Sequence, residues 1–80
     1  MIVEIVFDSN YAYDSDFFAM TLSDELKSGG YTVKTLRYAK TGEAGKITVD
    51  GQQVDASHPV NALIKKVENK SDNLGTAVVF

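Results

Sequence analysis

Eighty residues, 44% of them apolar and 24% charged, make one domain around a single two-layer core. The chain has no cysteine, which excludes a disulfide, thiolate chemistry and cysteine-ligated zinc, so packing alone must hold the fold. The net charge of −3 divides unevenly: residues 1–30 set six acids against Lys27 alone, a net of −5, and residues 31–80 set seven bases against five acids, a net of +2. An acidic first half argues against binding a phosphate backbone there, and the second half is too weakly basic to argue for it.

Ile2, Val3, Glu4, Ile5, Val6 and Phe7 form a β-prone apolar run of strand length. Val3, Ile5 and Phe7 share one face, while Ile2, Glu4 and Val6 share the other. A glutamate on the second face predicts helices on one side of the sheet only. The first apolar run ends at Phe7, too short for the core of a secretory leader, and no run reaches the length of a membrane span. A soluble cytoplasmic protein is expected, with neither a membrane nor nucleic acid as partner.

Residues 8–16 then turn the chain into its first helix, predicted over residues 16–28. Phe18, Leu22 and Leu26 recur at helical spacing with Ala19 in the same stripe, and Phe17 sits at its edge, toward the preceding loop. Asp14, Ser15 or Asp16 can cap the start, and Gly29 and Gly30 end it. Residues 31–38 read as a second strand with imperfect alternation: Tyr31 and Val33 point one way, Leu36 and Tyr38 the other. A polar connector follows over residues 39–45. Residues 46–49 make a short strand with Ile47 and Val49 inward. Asp50 and Gly51 signal a two-residue hairpin, returning through Gln52, Gln53 and Val54.

Pro59 suits the first turn of a second helix, where its missing donor costs nothing. Val60, Leu63, Ile64 and Val67 make its apolar stripe, and Lys65, Lys66 and Lys70 lie toward the C-terminal end, which the dipole favours. Ser71, Asp72 and Asn73 are expected to break the helix. The whole chain reads as a single domain over residues 1–80, with a core at residues 2–70 and an apolar tail at residues 71–80. The class is α+β, a two-layer sandwich, and two topologies fit. One is β-α-β-β-β-α with the tail outside the sheet. The other is the ferredoxin-like β-α-β-β-α-β, with residues 75–80 as a last strand.

In the first topology the chain resembles a short thioredoxin-fold domain, most similar to the selenoprotein W-like branch. Val6, Phe7, Asp8, Ser9, Asn10 and Tyr11 sit where that family has an aromatic residue followed by Cys-x-x-Cys. The stretch from Gly45 to Val54 resembles its glycine-led hairpin, and residues 59–67 its last helix, so the likeness spans residues 2–68. The two redox positions fall on Asp8 and Tyr11, and no proline precedes Lys46. The resemblance therefore implies the scaffold without the oxidoreductase activity.

Several chemistries can be weighed on the residues. Asp8, Asn10, Asp14 and Asp16 place oxygen ligands at alternate positions, as a calcium or magnesium loop would. Yet Ala12, Tyr13 and Ala19 stand where such a loop needs a ligand, a glycine and a bidentate glutamate. No metal or other cofactor is expected. Two carboxylates could do acid–base work, but nothing pins a pair about a cleft. His58, beside Pro59, reads as a cap or a solvated residue rather than a catalyst. Gly42, Glu43, Ala44, Gly45 and Lys46 lack the spacing of a phosphate loop.

Tyr11, Tyr13, Phe17 and Phe18 put four aromatics into eight residues beside acids, a composition common at interfaces; the tyrosines could alternatively roof the end of the sheet. The leading expectation is a non-catalytic protein-binding or regulatory domain. Its contact loop would be Asp8, Ser9, Asn10, Tyr11, Tyr13, Asp14 and Asp16. A second is a homo-oligomer or assembly component joined through Ala77, Val78, Val79 and Phe80, which could also form an edge strand or pack beneath a helix. A phage or mobile-element inhibitor of a host complex, and a metal-dependent or acid–base enzyme using the loop aspartates, are further alternatives.

Overall fold

The computed structural model describes residues 1–77, with side chains through Asp72. The elements run β1 (Ile2–Phe7), α1 (Asp16–Ser28), β2 (Thr32–Tyr38), β3 (Lys46–Val49), β4 (Gln52–Gln53) and α2 (Pro59–Ala77). The fold is α+β: four strands in the order β2-β1-β3-β4 form a mixed sheet, with β1–β2 parallel and the β1–β3 and β3–β4 pairs antiparallel. Val3, Ile5, Phe7, Tyr31 and Val49 from the sheet side meet Phe18, Leu22 and Leu26 of α1 and Val60, Ile64 and Val67 of α2 in one core. Both helices therefore serve the face that the β1 alternation marked as apolar.

The broken alternation of β2 has a mechanical cause. The register pairs Val3 with Val33 but Glu4 with Thr35, so Lys34 is an extra residue in a β-bulge. The bulge resets the parity, and Val33, Leu36 and Tyr38 all pack against the core. On the opposite face, Thr35 Oγ1 donates to Glu4 Oε1 at 3.1 Å, and Val6 is buried between its register neighbours Arg37 and Lys46.

Local signals place the turns. Ser15 is the N-cap of α1, its Oγ accepting from Phe18 N at 3.2 Å. Asp50 and Gly51 both have positive φ, 52° and 82°, as the tight hairpin requires. Asp50 also ties that hairpin to β1: its Oδ1 accepts from Ile2 N, and its own N–H donates to Ile2 O, both at 2.8 Å. Before α2, His58 Nδ1 accepts from Val60 N at 3.1 Å, a capping bond.

The C-terminal end departs from expectation. Ser71, Asp72 and Asn73 do not break α2, which continues to Ala77. Short polar residues weaken a helix by tenths of a kcal/mol each, which a tertiary contact outweighs; Asp72 receives such a contact from Tyr13. The segment proposed for a final strand is thus helical as far as Ala77, and Val78, Val79 and Phe80 lie outside the described residues. Among the described residues, no helix is long and apolar enough to cross a membrane.

Candidate functional site

The loop between β1 and α1 is built from its backbone outward. Asp8 folds it first: its Oδ1 accepts from Asn10 N at 2.8 Å, and its carbonyl accepts from Tyr11 N at 2.9 Å. This Asx turn swings the chain back over the end of β1. Gly45 closes the turn from the other side. A Cβ there would lie 2.7 Å from Asp8 N and 2.9 Å from Val6 O, so only glycine lets the start of β3 approach so closely.

The tyrosines then turn inward. Tyr11 stacks on Phe7 with ring centroids 4.3 Å apart, and Tyr13 stacks on Phe18 at 5.3 Å. With Tyr38 beside Phe7, five rings form a continuous cluster at the end of the sheet. Each hydroxyl has a partner: Tyr11 donates to Glu68, Tyr13 donates to Asp72 Oδ1 at 2.7 Å, and Tyr38 donates to the carbonyl of Tyr13. Glu68 and Asp72 lie one helical turn apart on α2, so two loop residues of spacing two meet two helix residues of spacing four.

Burial, this wiring and nearby charges together raise the phenols' pKa values. Burial pushes Tyr11 well above the ordinary tyrosine value, and its bond to Glu68 adds to the shift. The hydrogen bond to Asp72 raises Tyr13, and burial with the nearby Asp14 charge raises Tyr38. All three are stable hydrogen-bond donors at neutral pH and poor proton acceptors.

The loop residues thus fall into two groups. Tyr11 and Tyr13 are half-buried and form the roof over the sheet end. Asp8, Ser9, Asn10, Asp14 and Asp16 are exposed, as are Ala12, Ser15 and Phe17. The alternate oxygen ligands do not converge: among the described residues no three His, Asp or Glu side chains gather in a group that could hold a metal ion. Tyr38, Glu68 and Asp72 escaped the sequence reading. One signal was available for Glu68: with the helix expected to end near residue 70 it falls in the last turn, where a carboxylate opposes the dipole and calls for a donor. Nearby ion pairs are peripheral: Glu25 spans α1 to Lys66 and Lys70 of α2, and Arg37 grips Glu43 with two bonds, lowering the Glu43 carboxyl to about 2.

No protein-family model, curated protein or solved structure matches the chain.

Proposed function

We propose that the chain is a non-catalytic protein-binding domain that contacts its partner through the acidic loop of residues 8–16. The observation that carries this reading is the division of labour in the loop. Its rings are anchored to β1, α1, β2 and α2, while its aspartates are exposed, Asp8 also holding the turn through one carboxylate oxygen. A loop already held in one conformation loses little entropy on binding. Its aspartates would steer a basic partner toward it. The Tyr11 and Tyr13 phenols are engaged as donors to the protein itself, which supports a contact role for the loop rather than a role for these phenols as nucleophile or base.

The scaffold reading remains a resemblance to the thioredoxin fold. It is supported by the element order and the β2-β1-β3-β4 sheet; on that reading Asp8, whose backbone lies against Gly45, and Tyr11 would stand where the family has its redox pair. Without cysteine such a scaffold would present a surface rather than exchange disulfides.

Site-specific photo-crosslinking in the cells of origin tests the proposal. A crosslinking amino acid at Asn10 or Ala12 should yield a discrete adduct with another protein, whereas one at exposed Gln52 should not. Adducts that are absent from both loop positions, or equal at Gln52, rule the reading out.

A further inference from the structure

The outer face of α1 carries two features that the fold itself does not use. Phe17 is 46% exposed and Met20 is 67% exposed, one helical turn apart and away from the buried Phe18, Leu22 and Leu26 stripe. Among the described residues, the other exposed large apolar side chains are Met1 and Ile2 at the chain start. Around Phe17 and Met20 the helix presents Asp16 and Asp24, and Asp14 precedes it; all three are exposed. Glu25 and Glu43 are neutralised by ion pairs with Lys66, Lys70 and Arg37, but Asp14, Asp16 and Asp24 enter no salt bridge among the described residues. Lys27 is the only basic residue in the first thirty.

We infer that this face binds a basic protein segment bearing a large apolar side chain. The apolar group seats on Phe17 and Met20, and lysines or arginines flanking it meet Asp14, Asp16 and Asp24. The inference rests on the binding reading above and extends its surface from the loop onto the helix. The chemistry of each part fits that occupant. A phenylalanine ring supplies area at low entropic cost, a methionine adapts to an uneven partner, and a carboxylate rim rewards cations while excluding acidic competitors. The same carboxylates repel nucleic-acid phosphates and anionic lipid headgroups.

The test titrates the full chain with three synthetic peptides and follows its amide signals. One peptide is lysine-rich with a pair of leucines, the second replaces those leucines with serine, and the third replaces the lysines with glutamate. The first should perturb residues 14–24. Affinity should fall about tenfold or more for the serine peptide, for the Phe17→Ser, Met20→Ser variant, and for the Asp14→Asn, Asp16→Asn, Asp24→Asn variant. Equal binding of the serine peptide, perturbation centred elsewhere, or no perturbation by any peptide overturns the inference. So does self-association of the free chain that the Phe17→Ser, Met20→Ser variant abolishes, because it assigns the face to a second copy. Crosslinking from Ala12 separates the two readings: adducts that survive in the Phe17→Ser, Met20→Ser variant leave the loop reading standing while the helix face fails, whereas adducts missing from the unaltered chain sink the loop reading itself.

Discussion

Gly45 is where a single missing methyl group matters to the site. Its neighbours at the Cβ position are backbone atoms of Asp8, Val6 and Phe7, none of which can rotate out of the way. Gly45→Ala must push the start of β3 away from the turn after β1. The expected cost is about 1–3 kcal/mol, the usual range for forcing atoms into a filled space. Urea unfolding measures the cost, and the amide signal of Asp8 reports where the strain goes. An unchanged Asp8 signal with full stability would show that the approach is looser than described. The sequence marked Gly45 only as the leader of a hairpin. Its closeness to Asp8 depends on β1 and β3 being antiparallel neighbours, a contact across more than thirty residues that local patterning does not carry.

At the scale of elements, β2 shows how an irregular pattern becomes legible once a partner strand is known. Seven residues, Thr32–Tyr38, lie against the six of β1, and both ends are held, by Thr32 N to Met1 O at 2.8 Å and by Ala39 N to Phe7 O at 2.7 Å. The surplus residue is Lys34. Deleting Lys34 should restore plain alternation, with Val33, Leu36 and Tyr38 still inward, and stability should stay within about 1 kcal/mol of the parent. Deleting Leu36 also shortens β2 by one residue but brings Thr35 onto the core face, and should cost about 2–3 kcal/mol, as core truncations do. Equal losses for the two deletions would mean that the bulge itself stabilises the sheet. The first helix and the Asp50 and Gly51 hairpin were legible from caps, periodicity and turn chemistry, all local properties. The continuation of α2 through Ser71, Asp72 and Asn73 was not, because it brings Asp72 to a hydrogen bond from Tyr13, a residue near the other end of the chain.

For the molecule as a whole, the tyrosines join its two ends. Tyr11 and Tyr13 reach from the first loop to the second half of the last helix, so the loop's shape and the helix's length depend on each other. The acidic–aromatic composition of residues 8–16 was readable as a surface feature; the inward turn of its rings was not, because the phenols' partners lie 57 and 59 residues away. The link should be sensitive to alkali. The folded state raises the Tyr11 pKa above its ordinary value of 10.0, by burial first and by the bond to Glu68 second. The protonated phenol's contribution is therefore complete below pH 10 and drains away as pH climbs from 10 toward the folded value. Tyr11→Phe should lose about 1 kcal/mol at neutral pH with the hydrogen bond, yet fall less steeply than the parent chain above pH 10. Tyr13 and Tyr38 keep their own raised values, so the slope should shrink rather than vanish. The lysines are common to both proteins and cancel in the comparison. Chemical denaturation at a series of alkaline pH values measures the two slopes, and identical slopes would show that Tyr11 does not couple the loop to α2.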